Sequence, residues 1–348
     1  MQEATNSSNN PTPSFAQLGL LNADELRAWC GQHAEIDFLV PGFLPRQPII
    51  LACGRSGEGK SPWNLQMAIS LDLQVPFLDF PVGKRTTSII CSGEDYPVDT
   101  VAQIERQTRH LTGHAVTPPG VLVFSNNAFP EQYNLVGLEQ RIKVFRPGVV
   151  FIDPVVHFFP NLEDNSEAVD HAYSLLRRWH KQYDAVFVLV HHLTKSLHDN
   201  PNYEPLHKWY PSPRGWFDYA RGSGAIVQYA DVRVGFDTSD ARVLHVGGFK
   251  RATGNLPLVW MDRAMDPDDG RPLAYSRLRD EALLTPVKRS IYQRLPDPFT
   301  PADVKAVSGW KHDSQVHPFL DELLNLGLVT QDAPRQPYHK VRFIAQQQ

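Results

Sequence analysis

"LACGRSGEGKSPW", Leu51–Trp63, sets three glycines, a lysine and two serines directly behind an apolar run. Glycine weakens any regular element that contains it, and a lysine among glycines needs a partner. Both choices make sense if an anion sits there. Gly54, Arg55, Ser56, Gly57, Glu58, Gly59, Lys60 and Ser61 fit G-x-x-x-x-G-K-[ST], the phosphate-binding P-loop. The context agrees: "PIILACG" before it reads as a strand, and "NLQMAISLDL" after it reads as a helix. Glycines let backbone N–H groups converge on phosphate oxygens, and the helix N-terminus adds a favourable partial charge. The pattern predicts that Lys60 reaches the β- and γ-phosphates of ATP and that the Ser61 hydroxyl ligates Mg2+. Pro62 falls in the first helical turn, where its missing N–H costs little.

Strand-like runs surround this loop. "PIILACG", "TSIICSG", "GVLVFS", "GVVFIDP" and "AVFVLVHH" are short, β-branched and apolar on nearly every residue. Such runs are strands buried on both faces, which predicts a mostly parallel sheet in an α/β domain. "ADVRVGFD" and "RVLHVGGFKR" read as later, partly exposed strands. A P-loop needs a second carboxylate on its metal. "GVVFIDP" supplies Asp153 at a strand end, the sheet edge where ligands bind in open α/β folds. Hydrolysis also needs a group to orient or deprotonate water. "IICSGEDYP" offers Glu94 as that base, against the plainer reading of an exposed acidic turn. "VFVLVHHLTK" ends a later strand with His191 and His192. His192 is the candidate sensor of the γ-phosphate; the alternative is a hydrogen-bonded pair of strand-end histidines. Neighbours on a strand point to opposite faces, so the two do not form a metal pair.

Composition limits the rest. The chain has 348 residues, 42% hydrophobic and 21% charged, enough for one large soluble domain plus a small one. Cys30, Cys53 and Cys91 are too few and too scattered for a disulfide framework or a zinc site. With no signal-peptide pattern and no bilayer-length apolar run, a cytoplasmic protein with no membrane partner is expected. The net charge of −4 argues against a uniformly basic nucleic-acid coat. Residues 1–14 are polar and rich in Pro, Asn and Ser, a disordered tail. Residues 15–36 contain a short helix with Asn22 as its cap and Glu25 three positions later. The ATPase-type domain is expected over 37–265, a linker over 266–282 and a small C-terminal domain over 283–345.

Taken in order, these residues resemble the RecA/DnaB-type ATPases, most closely the compact plasmid RepA-type hexameric helicases. The resemblance covers roughly Asp37 to Asp262. Besides the P-loop it rests on "GED" at 93–95, "VLVHHLTK" at 188–195, "RGSGAIVQYADVRVGF" at 221–236 and "GFKRATGNLPL" at 248–258. It implies a RecA-like P-loop core, with ATP held at the subunit interfaces of a homo-oligomer, a hexamer in that family. A basic residue of the neighbouring subunit then completes each site, which makes hydrolysis depend on subunit contact. Lys250 matches the family's lysine, while the arginine usual two residues on is Ala252 here and Arg251 is adjacent. The trans-acting role lies between Lys250 and Arg251.

In the resembling family the segment after His192 is a DNA-contacting loop. Here it carries Lys195, Lys208, Arg214 and Arg221 among Tyr203, Trp209, Tyr210, Trp216, Phe217 and Tyr219. Basic residues for phosphates and aromatics for bases suit single-stranded nucleic acid. The competing reading is an insertion that packs its aromatics on its own domain or on a neighbour. Beyond Leu283, a helix at "PVKRSIYQRLP", a second capped by Thr300 with Pro301 first, a third ending at Gly327, and the strands "LVTQD" and "HKVRFI" follow a winged helix-turn-helix pattern. Val316, Phe319, Leu320, Leu323, Leu324 and Leu326 form the buried face expected of the third helix. Duplex DNA could be met by Lys311, His312, Gln315 and the wing. A protein-binding winged helix is the equal alternative. The expectation for the whole chain is an ATP- and Mg2+-dependent ring helicase on single-stranded DNA, serving a plasmid, phage or mobile element. The rival is a nucleotide-switched DNA-binding regulator or loader that does not unwind.

Overall fold

The apolar runs form strands where every residue can be buried. The computed structural model describes residues 23–24, 27–28, 37–194, 203–210, 212–238, 243–251, 254–265, 272–278, 284–325, 328–331 and 336–340. Contacts divide the chain into residues 1–37 and 38–348. In the first unit, residues 23–24 and 27–28 are helical, and Arg27 pairs with Asp24 at 2.6 Å. Asn22, Glu25 and Cys30 lie outside the described residues.

The second unit opens with a small antiparallel pair, β1 (Phe38–Val40) and β2 (Leu44–Pro45). Strands and helices then alternate: β3 (Ile49–Gly54), α1 (Lys60–Leu73), β4 (Ser88–Ser92), α2 (Pro97–Thr112), β5 (Val121–Ser125), α3 (Leu135–Phe145), β6 (Val149–Asp153), α4 (Ser166–Tyr183) and β7 (Val186–His192). After β7 come α5 (Ala225–Tyr229), β8 (Val232–Thr238), β9 (Val243–Lys250), β10 (Gly254–Met265) and β11 (Pro272–Arg277). They build one nine-stranded sheet in the order β11-β10-β9-β8-β3-β7-β6-β4-β5. The strands from β8 to β5 in that order run parallel, and β9, β10 and β11 extend the sheet antiparallel. This is the mostly parallel α/β core that the strand patterning predicts. Pro272–Arg277, inside the stretch expected to be a linker, is the edge strand β11.

Alternate residues of β3 feed the two cores. Ile49, Leu51 and Cys53 pack on one face with α4; Ile50 and Ala52 pack on the other with α1. Helix α4 buries Val169, Ala172, Tyr173, Leu176, Trp179 and Tyr183 at helical spacing, and the Asn165 side chain caps it by accepting from Ala168 N. Asp231, just ahead of β8, braces the sheet edge opposite the P-loop. Its carboxylate accepts from Ile49 N at 3.2 Å and Arg177 Nη2 at 3.0 Å. Its carbonyl accepts from Arg251 N at 2.7 Å, and its own N–H donates to Ile49 O at 3.0 Å.

The aromatic segment after β7 is part of the core. Leu206, Trp216 and Phe217 are fully buried, in short 3-10 helices at Leu206–Trp209 and Pro213–Tyr219. They lie against glycines of β8 and β9. A Cβ on Gly235 would come within 2.6 Å of the Trp216 ring, and one on Gly247 would collide with the Tyr210 hydroxyl. That hydroxyl accepts from Gly248 N. Gly247→Ala therefore forces Tyr210 off its seat. We expect it to cost about 1–3 kcal/mol, the usual penalty of overpacking, read as a lower urea midpoint. An unchanged midpoint would mean that Tyr210 yields freely.

The C-terminal residues form α6 (Pro286–Arg294), α7 (Pro301–Ser308), α8 (Asp313–Asn325) and the antiparallel pair β12 (Val329–Gln331) and β13 (Tyr338–Lys340). Thr300 caps α7 in a capping box with Asp303, directly ahead of Pro301. Val316, Phe319, Leu320 and Leu323 are buried in this module's core, against which Trp260 of β10 also packs. Leu324 differs from expectation: it is 36% exposed, because the buried stripe of α8 runs 316, 319, 320, 323 and position 324 falls at its rim. Leu326 lies outside the described residues. No helix among the described residues is long and apolar enough to cross a membrane.

Candidate functional site

The P-loop leaves the middle of the sheet. Gly54 ends β3, in register with His192 of β7 and Phe236 of β8. A Cβ on Gly54 would sit 2.9 Å from Phe236 Cβ and 3.0 Å from Glu58 Oε2, so the turn is too crowded for a side chain. Gly57 and Gly59 have φ of +80° and +88°, the left-handed region that glycine enters without strain. Ser56 and Gly57 are exposed at the loop's tip. Lys60 opens α1, and its buried Nζ donates to Gly54 O at 2.8 Å and Arg55 O at 2.6 Å. Burial lowers the Lys60 pKa, while the Asp153 and Glu58 carboxylates pull it back up.

Asp153 reaches this loop from the end of β6, two strands away from β3. Its carboxylate accepts a hydrogen bond from the exposed Ser61 side chain. Burial pushes the Asp153 pKa up to about 6, against the lowering effects of the Ser61 hydrogen bond and the Lys60 charge. The Asp153 carbonyl accepts from Gly93 N at 2.9 Å, which ties the turn carrying Glu94 to the same edge. Glu94 is exposed there, and its charge is felt at both Lys60 and Asp153. Asn127, just past β5, donates from Nδ2 to Glu94 O at 3.3 Å and Asp95 O at 3.0 Å.

His192 is half-buried, beside Gly54 by strand register, and its carbonyl accepts from Arg221 N at 3.0 Å. His191 points the other way. It is buried, its Nε2 lies 2.7 Å from Arg221 O, and burial lowers its pKa, so the neutral ring donates to that carbonyl. Lys250 and Arg251 stand elsewhere. Lys250 ends β9 in register with Val232, which is level with Ile50 near the start of β3. Lys250 and the exposed Arg251 therefore lie at the sheet edge opposite the P-loop of their own chain.

Behind the loop is a charged network that single-sequence reading does not find. Arg55 donates from Nε to Glu58 Oε1 at 2.8 Å and from Nη2 to Asp237 Oδ1 at 3.1 Å. The other Asp237 oxygen accepts from Leu206 N at 2.8 Å, so the network joins the P-loop to the aromatic segment. Burial raises the pKa of both Glu58 and Asp237, and Arg55 opposes it in each case. Arg263 and Tyr275 grip the same loop from the antiparallel strands. No local motif marks Asn127, Asp237, Arg263 or Tyr275; the only hint is polar residues at strand ends.

The basic candidates are scattered. Lys195 lies outside the described residues. Lys208 and Arg214 are exposed, the latter with its guanidinium 5.3 Å from the centre of the Phe249 ring. Arg221 is exposed but paired with Glu163 at 2.9 Å. Trp216 and Phe217 present no face to solvent. Lys311 and Gln315 are exposed around the start of α8. Nearby, Lys305 pairs with Asp313 at 2.8 Å and Lys340 donates to Leu295 O at 2.7 Å.

The fold has counterparts among known structures. A solved ATPase domain aligns over 77% of this chain and 100% of its own, with 12% identity and a TM-score of 0.51. A DnaB-like replicative helicase studied with primase aligns over 76% of this chain and 70% of its own, at 12% identity and a TM-score of 0.47. The KaiC-like protein PH0186 of Pyrococcus horikoshii OT3 aligns over 69% and 93%, at 11% identity and a TM-score of 0.43. No curated protein matches the sequence. The family model AAA_25, described as an AAA domain, matches residues 18–197, just over half of the chain and the part that carries the P-loop, Glu94, Asp153 and His192. With that match, and with a P-loop set in a mostly parallel sheet, the chain belongs to this AAA domain family and is an ATP-hydrolysing P-loop enzyme.

Proposed function

We propose that the protein is a ring-forming, ATP- and Mg2+-dependent translocase that moves along single-stranded DNA and unwinds duplex, in the replication of a plasmid, phage or mobile element. The observation that carries this is the split of charged groups between two sheet edges. Lys60, Ser61, Asp153, Glu94 and His192 gather at one edge, whereas Lys250 and Arg251 sit at the other. A chain cannot bring its own Lys250 to its own P-loop, so a second copy must supply the cation that stabilises charge building on the phosphates. A closed ring, a hexamer in this reading, gives every site a neighbour.

Within each site the P-loop amides and Lys60 bind the phosphates. Ser61 and Asp153 would fit Mg2+: both offer the hard oxygen donors that ion takes, and their hydrogen bond sets those oxygens side by side. When bound, the ion neutralises phosphate charge. Glu94 orients the attacking water, and His192, next to Gly54, reports the γ-phosphate to the segment that follows. Lys208, Arg214 and Arg221 meet DNA phosphates. With Trp216 and Phe217 in the core, contact is to the backbone more than to bases.

The test is ATP turnover with and without single-stranded DNA, alongside native mass. Stimulation of about tenfold or more in a hexamer-sized species is expected, equivalent to about 1.4 kcal/mol or more off the barrier. Slow turnover indifferent to single strands would sink the motor. That result would favour a nucleotide-switched, duplex-binding regulator, a reading supported by the exposed Lys311 and Gln315.

A further inference from the structure

The last turn of the P-loop is held from outside by the antiparallel strands β10 and β11. Arg263 of β10, only 9% exposed, donates from Nη2 to Glu58 O at 2.8 Å. Tyr275 of β11, 2% exposed, donates from its hydroxyl to Gly59 O at 3.0 Å. The two side chains are also hydrogen-bonded to each other. A guanidinium has no acceptor, so Arg263 must donate to the Tyr275 hydroxyl, which frees the phenolic proton for Gly59. The bonds thus form a directed chain from Arg263 through Tyr275 to the loop, in a buried setting where each strengthens the next. Tyr275 is itself fixed by Gln66 of α1: Tyr275 N donates to Gln66 Oε1 at 2.7 Å, and Gln66 Nε2 donates to Tyr275 O at 2.8 Å.

In a trans peptide the C=O of one residue and the N–H of the next point in opposite directions. The Gly59 carbonyl, which also accepts from Trp63 N at 3.1 Å as α1 begins, and the Glu58 carbonyl are held toward Tyr275 and Arg263, and the N–H groups of Gly59 and Lys60 therefore turn the other way, into the hollow of the loop. Gly59 is shaped to this contact as well as to its φ of +88°, since a Cβ there would collide with the Tyr275 hydroxyl. We propose that Arg263 and Tyr275 are positioning residues for ATP, aiming the Gly59 and Lys60 amides at the bound phosphates. The inference rests on the P-loop being the ATP site.

The experiment uses the full chain with Tyr275→Phe and Arg263→Lys, and Lys60→Ala as a control. Tyr275→Phe keeps the buried ring and removes only the hydroxyl. Aimed amides serve ground and transition states alike, so the loss falls on KM and not kcat. We expect KM for ATP, and the Kd of a fluorescent ATP analogue, to rise about tenfold or more, with kcat within about threefold, as for a uniform-binding loss. The urea midpoint without nucleotide should stay near wild type for at least one variant. Wild-type Kd in a folded Tyr275→Phe, or affinity that falls only in step with the urea midpoint in both variants, overturns the proposal. Undiminished binding by Lys60→Ala would instead overturn the phosphate reading of the loop, a separate result.

Discussion

Asp153→Asn is expected to raise the melting temperature while cutting Mg2+-dependent ATP turnover about a hundredfold or more, since a lost metal ligand removes several kcal/mol of transition-state stabilisation. The stability gain follows from the direction of the pKa shift. The Asp153 pKa in the folded protein, about 6, lies above its ordinary 3.8. The folded state therefore holds the proton more tightly than the unfolded state does. The stabilisation from that proton is complete below the ordinary value and disappears as pH rises through about 6. Near pH 8 the ionised carboxylate costs the fold about 1–3 kcal/mol, discounted for its partial exposure. Asparagine removes that cost and can still accept from Ser61. The gain should vanish near pH 4 and shrink when Mg2+ is added to the wild type, because the ion offsets the charge. Melting curves at pH 4 and pH 8, with EDTA or Mg2+, check this. A variant that melts lower at pH 8 and still turns over ATP would refute the metal role.

Glu94→Gln is expected to lower kcat by about a hundred- to ten-thousandfold, the range for removing a general base, and to leave ATP affinity and melting temperature near wild type. The reason is local. Glu94 is exposed, so its carboxylate carries little of the packing. The turn around it is held through the backbone, by Asn127 on the Glu94 and Asp95 carbonyls and by Asp153 O on Gly93 N. A glutamine keeps those bonds and loses only the proton acceptor. The variant should therefore bind ATP and hold it uncleaved, which filter binding and a single-turnover assay would show. Turnover within about threefold of wild type, less than any general-base loss, would move the base to another residue of that edge.

The P-loop was legible because its determinants are contiguous: a buried strand, glycines at left-handed positions and a helix start all fall within one short stretch. The parallel strands were legible because burial on both faces leaves unbroken apolar runs. Arg263 and Tyr275 were not, since their partners lie 205 and 216 positions away and only the pairing of β10 with β11 brings them to the loop. The aromatic segment shows the same limit in another form. Tyr, Trp and Phe beside Lys and Arg fit base stacking and core packing equally well. The decision lies in Gly235 and Gly247, on later strands, which leave room for Trp216 and Tyr210. The Pro272–Arg277 strand is hard to tell from a linker because a short edge strand flanked by Asp, Gly and Pro has the composition of one.

Asp231 locks the starts of β3 and β8 together and clamps the backbone of Arg251 as well. In the proposed ring, the basic pair offered to a neighbour then stands on a stiff foundation and does not ride on a swinging loop. Its reach is fixed by where the whole domain sits. Engagement and release of the neighbour's phosphates must come from rigid rotation of one subunit against the next, so the step that hydrolysis drives is a movement of domains.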